Sequence, residues 1–142
     1  MSQVQPELAV VDTMVASWLM DERPNPQADR YRELIGDRQT LLAFQSVAEL
    51  RYGALHAGWG ELRRRGLDRQ IAEWTVVRPD DRAMTIYAEL RQHCAAAGHP
   101  LGAKIHDGDR WIAAIAIRVR GAVVSDDGIF NGAPGVEFRT AR

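Results

Sequence analysis

Short apolar runs alternate with longer segments of helical period along this chain. Leu8 to Val11 is an apolar run that ends abruptly at Asp12 and reads as a buried strand. Thr13 to Met20 reads as a helix, with Met14, Val15, Trp18 and Leu19 on one stripe. Glu22 to Asp29 is a loop punctuated by Pro24 and Pro26, and a helix from about Asp29 to Ile35 stops at Gly36. Thr40 to Phe44 is the second strand. Ser46 opens a helix through Leu50, Tyr52, Ala54 and Leu55, which Gly58 and Gly60 interrupt. Glu61 to Glu73 resumes the helical pattern with Leu62, Leu67 and Ile71, and Trp74 to Val77 is a third strand. Pro79-Asp80-Asp81 introduces a helix from Arg82 to Ala97, stopped by Gly98 and Pro100.

The segment from Lys104 to Arg120, KIHDGDRWIAAIAIRVR, is the most informative. Three alanines and its length favour helix over strand, and acids at its start with Arg118 and Arg120 at its end suit the helix dipole. Ile112, Ile115, Ala116 and Val119 form a buried stripe, which Asp109 extends at its N-terminal end, so that this carboxylate faces inward. A fourth strand at Ala122 to Ser125, a turn at Asp126-Asp127-Gly128 and a last strand at Val136 to Phe138 complete the chain. Strands alternating with helices indicate an α/β domain with a mainly parallel sheet, expected to span residues 1–142 as one unit.

In such a sheet ligands bind at the carboxyl ends of the strands. Asp12 follows strand one, Glu49 lies shortly after strand two, and Asp127 sits just past strand four. A helix leading into a parallel strand runs antiparallel to it, which places Asp109 at the same edge. Each acid also has a local explanation. Ser46-x-x-Glu49 is a capping box, Asp107 or Asp109 caps the following helix, and Asp126 and Asp127 suit a turn. Asp12 alone has no local partner in view. Carboxylates gathered on one rim repel one another, and a hard divalent cation such as Mg²⁺ or Mn²⁺ is the usual solution. Such an ion suits phosphodiester hydrolysis, which needs no nucleophilic Ser or Cys.

Composition narrows the classes without naming a partner. The 142 residues are 46% hydrophobic and 26% charged, ordinary for a globular protein, and the formal net charge is -1. That balance gives no evidence for nucleic-acid binding through the whole-protein field, although a local basic patch can still hold phosphates. Arg63-Arg64-Arg65, and Arg51 near Glu49, are the candidates for RNA phosphate contacts. The single cysteine, Cys94, excludes an internal disulfide framework and fits a reducing compartment. The four histidines lack zinc-like spacing, and only His106 falls near the proposed site. No stretch is long enough for a membrane span, and the opening MSQVQPEL lacks a signal peptide's pattern, so the expected home is the cytoplasm.

The order VVDTMVAS, SVAELRYGA, GDRWIAAIAI and VVSDDGIFNGAPGVEF resembles a PIN-domain ribonuclease of the VapC toxin type, over Leu8 to Phe138. The resemblance implies a three-layer α/β/α domain and an endoribonuclease dependent on Mg²⁺ or Mn²⁺. It also implies the toxic half of a type II toxin–antitoxin pair, dimeric and neutralised by a VapB-like antitoxin. Residue by residue it makes Asp12, Glu49, Asp109 and Asp127 the catalytic acids, with Asp12 and Asp109 as metal ligands. Thr13, Ser46 and Ser125 match supporting hydroxyl positions, and Asp107 and Asp126 stand beside the acids as helpers or loop residues. Gly108 departs from the Asn that relatives often carry before the third acid. The helical surfaces Met14–Leu19 and Tyr52–Leu55 are the expected antitoxin contacts, unless they are core. The rival readings are an RNA-processing nuclease outside any toxin system, and a catalytically silent domain whose acids are caps.

Overall fold

The computed structural model of this chain describes residues 7–142, so the expectation resting on the first residues of MSQVQPEL lies partly outside the described residues. Five strands form one all-parallel sheet in the order β3-β2-β1-β4-β5: β1 is Leu8–Val11, β2 Gln39–Ala43, β3 Thr75–Val77, β4 Ala122–Val124 and β5 Phe138–Arg139. The α-helices are α1 Thr13–Met20, α2 Pro26–Ile35, α3 Phe44–His56, α4 Glu61–Ala72, α5 Asp81–Ala96 and α6 Asp107–Val119. Short 3₁₀ turns cover Pro100–Gly102, Lys104–His106 and Gly128–Phe130.

Side chains alternate across a strand, and that alternation builds two cores. Val10, Leu41, Ala43 and Val123 face α5 and α6, packing on Leu90, Cys94, Ile112 and Ile115. Ala9, Val11, Leu42 and Val124 face the other way, onto Val15, Ala16, Tyr31, Ile35, Leu50 and Ile71. The result is three layers, with β1 in the middle and buried on both faces. Five consecutive residues of α6, Ile112 to Ala116, are buried, so its covered face is wider than the stripe that the sequence predicts. Gly121 leaves α6 for β4 where a Cβ would stand 2.8 Å from the Leu8 carbonyl oxygen. The turn into β4 therefore needs glycine.

Several boundaries and faces differ from expectation for local reasons. The helix α2 begins at Pro26, three residues early, because the Asn25 side chain accepts from Gln27 and Ala28 N–H and Pro26 fits the first helical position. Phe44 belongs to α3 and not to β2; α3 starts after Ala43 with no side-chain cap, so Ser46-x-x-Glu49 is not a capping box. Asp107 and Asp109 lie in the first turn of α6, whose cap position is His106, and neither caps it. The last strand is Phe138–Arg139 and omits Val136. On α1 the buried pair is Val15 and Ala16 while Met14 is 58% exposed, and on α4 Leu62 is 78% exposed. Among the described residues no helix is long and apolar enough to cross a membrane.

Candidate active site

Strand order reverses at β1, which has β2 on one side and β4 on the other, and a parallel sheet opens a crevice at such a point. Asp12 leaves β1 there and still donates its N–H to the Val124 carbonyl across 3.0 Å, continuing the ladder to β4. Ser125 to Asp127 leave β4 beside it. Asp12 has a local partner after all: its Oδ1 accepts from Val15 N–H at 2.9 Å and caps α1. Its Oδ2 accepts from the buried Ser125 hydroxyl, which in turn accepts from Asp127 N–H at 2.9 Å. One carboxylate is thus both a helix cap and the floor of the crevice.

Glu49 comes from the second turn of α3, where the backbone is already helical, and its carboxylate is held by two neighbours. Thr13 donates its hydroxyl to Oε2, Gln45 Nε2 donates to Oε1 at 3.2 Å, and buried Ser46 lies 3.0 Å from the Thr13 hydroxyl. Glu49 also lies against the start of α6, where Gly108 makes room: a Cβ at Gly108 would fall 2.7 Å from Glu49 Oε1. Asp109, in the first turn of α6, has His106 Nδ1 3.2 Å from its Oδ2. Asp127 accepts from Ile129 N–H at 3.0 Å, capping a short turn.

Burial pushes the carboxyls of Asp12 and Asp109 above the usual range, and neighbouring acids push the same way. For Asp12 those neighbours are Asp109 and Asp127, and for Asp109 they are Asp127 and Glu49, so the four acids share one field. Hydrogen bonds from Ser125 and Val15 to Asp12, and from His106 to Asp109, oppose the rise. Among the described residues no Lys or Arg side chain is hydrogen-bonded or ion-paired to any of the four.

Other candidates turn away. Asp126 accepts from Tyr31 of α2 at 2.7 Å, which leaves Asp127 as the acid facing the cluster. Asp107 accepts from Tyr87 of α5 and is exposed. Arg51 pairs with Asp68 at 3.2 Å, Arg65 with Glu61 at 2.5 Å, and Arg63 lies 3.7 Å over the Trp59 ring, so most of the predicted basic contacts are already engaged within the chain. Sequence reasoning passed over Gln45, whose spacing of four from Glu49 on one helix was the available signal. A groove of about 1470 Å³ runs from Asp12, Glu49 and Asp109 between α1 and the α3–α4 pair, past Trp18, Trp59 and Leu67.

No group of three His, Cys, Asp or Glu side chains among the described residues is close enough together to enclose a metal ion. Mg²⁺ does not need such a cage, because it keeps most of its waters and takes one or two carboxylates. Four acids to which no described Lys or Arg is bonded, two of them with raised affinity for protons, form a hard-oxygen set that fits such an ion.

The sequence profile of the PIN domain matches residues 9–135. Ribonuclease VapC5 of Mycobacterium tuberculosis is 31% identical over 138 residues, spanning 94% of this chain and 95% of the relative. Ribonuclease VapC1 of Haemophilus influenzae is 24% identical over 82% of this chain and 84% of its own length. Among solved structures, VapBC-5 of Mycobacterium tuberculosis, from the VapBC family of toxin–antitoxin systems, superposes with a TM-score of 0.69 at 28% identity, over 95% of this chain and 99% of that one. VapBC2 of Rickettsia felis, bound to a promoter DNA fragment, superposes with a TM-score of 0.75 at 19% identity, over 94% and 98%. A parallel sheet in the order 3-2-1-4-5, acids at its switch point and a profile covering nearly the whole length agree: this chain belongs to the PIN-domain family.

Proposed function

We propose that this protein is an endoribonuclease dependent on Mg²⁺ or Mn²⁺, and the toxin of a VapBC-like pair. The observation that carries the reading is the group of four acids, Asp12, Glu49, Asp109 and Asp127, sharing one field at the sheet's switch point with no Lys or Arg among the described residues bonded to them. The similarity to VapC ribonucleases along 94% of the chain supports the substrate and the toxin role.

Asp12 and Asp109 are the residues that would hold the ion, through carboxylate oxygens. A bound divalent ion neutralises phosphate charge, orients an attacking water and stabilises the leaving oxygen. Val15 N–H and the Ser125 hydroxyl fix both oxygens of Asp12, so this carboxylate needs little reorganisation. Thr13 and Gln45 hold Glu49 across from Asp109 in the same way. Without the cation, four carboxylates repel an RNA phosphodiester, so RNA and ion are expected to bind together. Hydrolysis adds one water across the phosphodiester and leaves one phosphate-bearing and one hydroxyl end.

The groove past Trp18, Trp59 and Leu67 is the proposed seat of a VapB-like antitoxin segment, with exposed Met14, Tyr52 and Leu55 beside it. A homodimer is proposed on the same resemblance. Asp12 also caps α1 and Asp127 a short turn, and this favours the rival in which the acids are only structural. Asp109→Asn separates the two readings. Incubated with labelled RNA and Mn²⁺, the wild type should cleave, EDTA should stop it, and Asp109→Asn should be inactive yet folded. Cleavage by Asp109→Asn at the wild-type rate would sink the site assignment. Growth arrest on expression, relieved by a co-expressed small partner, tests the toxin role.

A further inference from the structure

Arg110 follows Asp109 and is wholly buried, a guanidinium inside the layer between α5 and α6. Among the described residues nothing of opposite charge meets it at hydrogen-bond distance: Asp107 is 3.7 Å away and largely in solvent. Its Nη1 instead donates to the carbonyls of Leu101, at 3.0 Å, and Ala103. Its Nη2 donates to the Tyr87 hydroxyl at 3.1 Å, and that hydroxyl donates to Asp107. Its Nε has no partner among the described residues. A cation buried this way is a poor filler for a core, since an apolar chain of similar volume packs without desolvation.

What the guanidinium does supply is a set of ties. Leu101 and Ala103 belong to the 97–106 connection, which ends in His106, the residue beside Asp109. The same connection reaches the loop after β4. His99 Nδ1 accepts from Leu101 N–H at 3.1 Å, and His99 Nε2–H donates to the Asn131 carbonyl at 2.8 Å, four residues beyond Asp127. The Leu101 residue is therefore shared: its N–H reaches the Asp127 loop through His99, and its C=O reaches the Asp109 helix through Arg110. Tyr87 stacks on Trp111 with ring centroids 4.2 Å apart, fixing the α5 end of the tie.

We propose that Arg110 is a positioning residue, which braces the 97–106 connection so that Asp109 keeps its place relative to Asp127. The inference rests on the nuclease reading above and adds a residue that touches neither substrate nor ion. Fixing acids at two separate chain segments to within a fraction of an ångström is the task that justifies a buried charge here.

The test compares wild type, Arg110→Met, Arg110→Lys and Tyr87→Phe in the full chain. Thermal unfolding, calorimetric titration with Mn²⁺ alone, RNA cleavage and amide hydrogen exchange are measured on each. Arg110→Met is expected to unfold within a few degrees of wild type, because relief of the buried charge offsets the carbonyls of Leu101 and Ala103 left without their donor. Its Mn²⁺ affinity should fall about 10- to 100-fold, with kcat reduced and KM for RNA unchanged, as for loss of an outer-shell partner. Exchange should quicken only across residues 101–107. Arg110→Lys should recover part of the loss, and Tyr87→Phe, which keeps the ring on Trp111, should lose about threefold in Mn²⁺ affinity, the share of one tie among several. If Arg110→Met fails to fold, Arg110→Lys and Tyr87→Phe decide, and wild-type Mn²⁺ affinity and kcat in both overturn the brace. A wild-type chain that cleaves RNA beside an Arg110→Met chain equal to it also overturns the brace. A wild-type chain that neither binds Mn²⁺ nor cleaves RNA overturns the nuclease reading, and the brace with it.

Discussion

Gly108 offers a test in which stability and activity should separate. It lies in the first turn of α6 and is absent from the glycines with positive φ, so alanine fits its backbone. Helix propensity alone then favours Gly108→Ala by up to about 1 kcal/mol. The new Cβ, however, would stand 2.7 Å from Glu49 Oε1 and 3.3 Å from Gln45 Nε2. Both are far ends of flexible side chains, so they yield and the backbone does not. Restoring ordinary contact moves the Glu49 carboxylate by about 0.7 Å, at the scale where misplaced groups lose rate. Loosening the bond from Thr13 offsets the helix gain by about 1 kcal/mol. The net change in stability is therefore near zero, and Tm should stay within about 4 °C of wild type. With Glu49 in its proposed catalytic role, a displacement of that size should lower kcat by about 10- to 100-fold. The assay is initial-rate cleavage of a labelled RNA at saturating Mn²⁺, beside thermal unfolding of the same preparations. Gly66→Ala, whose Cβ would meet only Arg69 Nη2 at 3.7 Å, calibrates the propensity gain by Tm. A Gly108→Ala chain with wild-type kcat would refute the claim that Glu49 must sit where Thr13 and Gln45 hold it.

Three further outcomes follow from the same geometry. Ser125→Ala removes the donor to Asp12 Oδ2 in a buried setting, so stability should drop by about 1–3 kcal/mol in denaturant unfolding; an unchanged midpoint would show that Asp12 finds another partner. The Asp12 and Asp109 carboxyls are raised above 3.8 in the folded state, so they favour folding fully below that value and lose the contribution as pH rises through their folded range. The metal-free chain should therefore gain Tm as pH falls toward 3.8, and Asp12→Asn combined with Asp109→Asn should flatten that slope. Asp21 and Asp80, lowered to about 2 by Arg23 and Arg118, act in a separate window, losing their contribution only as pH falls below 3.8. Mn²⁺ at a hundredfold excess over its Kd should stabilise the wild type by about 2.7 kcal/mol, read as a rise in Tm that Asp109→Asn lacks.

The sequence made the strands and most helix ends legible because the signals there are local. Leu8–Val11 ends at a charged residue, Gly36 and Gly98 stop helices, and the apolar run of α6 leads into Gly121. Parallel pairing of all neighbours, once assumed, was enough to bring Asp12, Glu49, Asp109 and Asp127 to one edge. Signals that depend on distant partners were hidden. Whether Asp126 or Asp127 faces the cluster is decided by the Tyr31 hydroxyl, 95 residues away in the chain. Asp12 looked unpartnered because its cap lies in the following helix turn and its second donor beyond residue 120. Arg110 looked like an ordinary helical charge, since burial of a guanidinium depends on carbonyls in a separate turn. The start of α3 carried no capping side chain at all, and a boundary set only by backbone leaves nothing to read.

The pairing of Asp12 with Ser125 has a consequence in time. These two residues are 113 positions apart, and β1 meets β4 only after all the intervening helices have been made. At ~5–20 residues per second, a ribosome needs roughly 6–23 s to travel between them. For most of that interval the emerging chain lacks Asp109, Asp127 and the strand that aligns them. A nascent or prematurely terminated product is therefore expected to be harmless to RNA. Activity arrives late in synthesis and all at once, when the central strand gains its second neighbour.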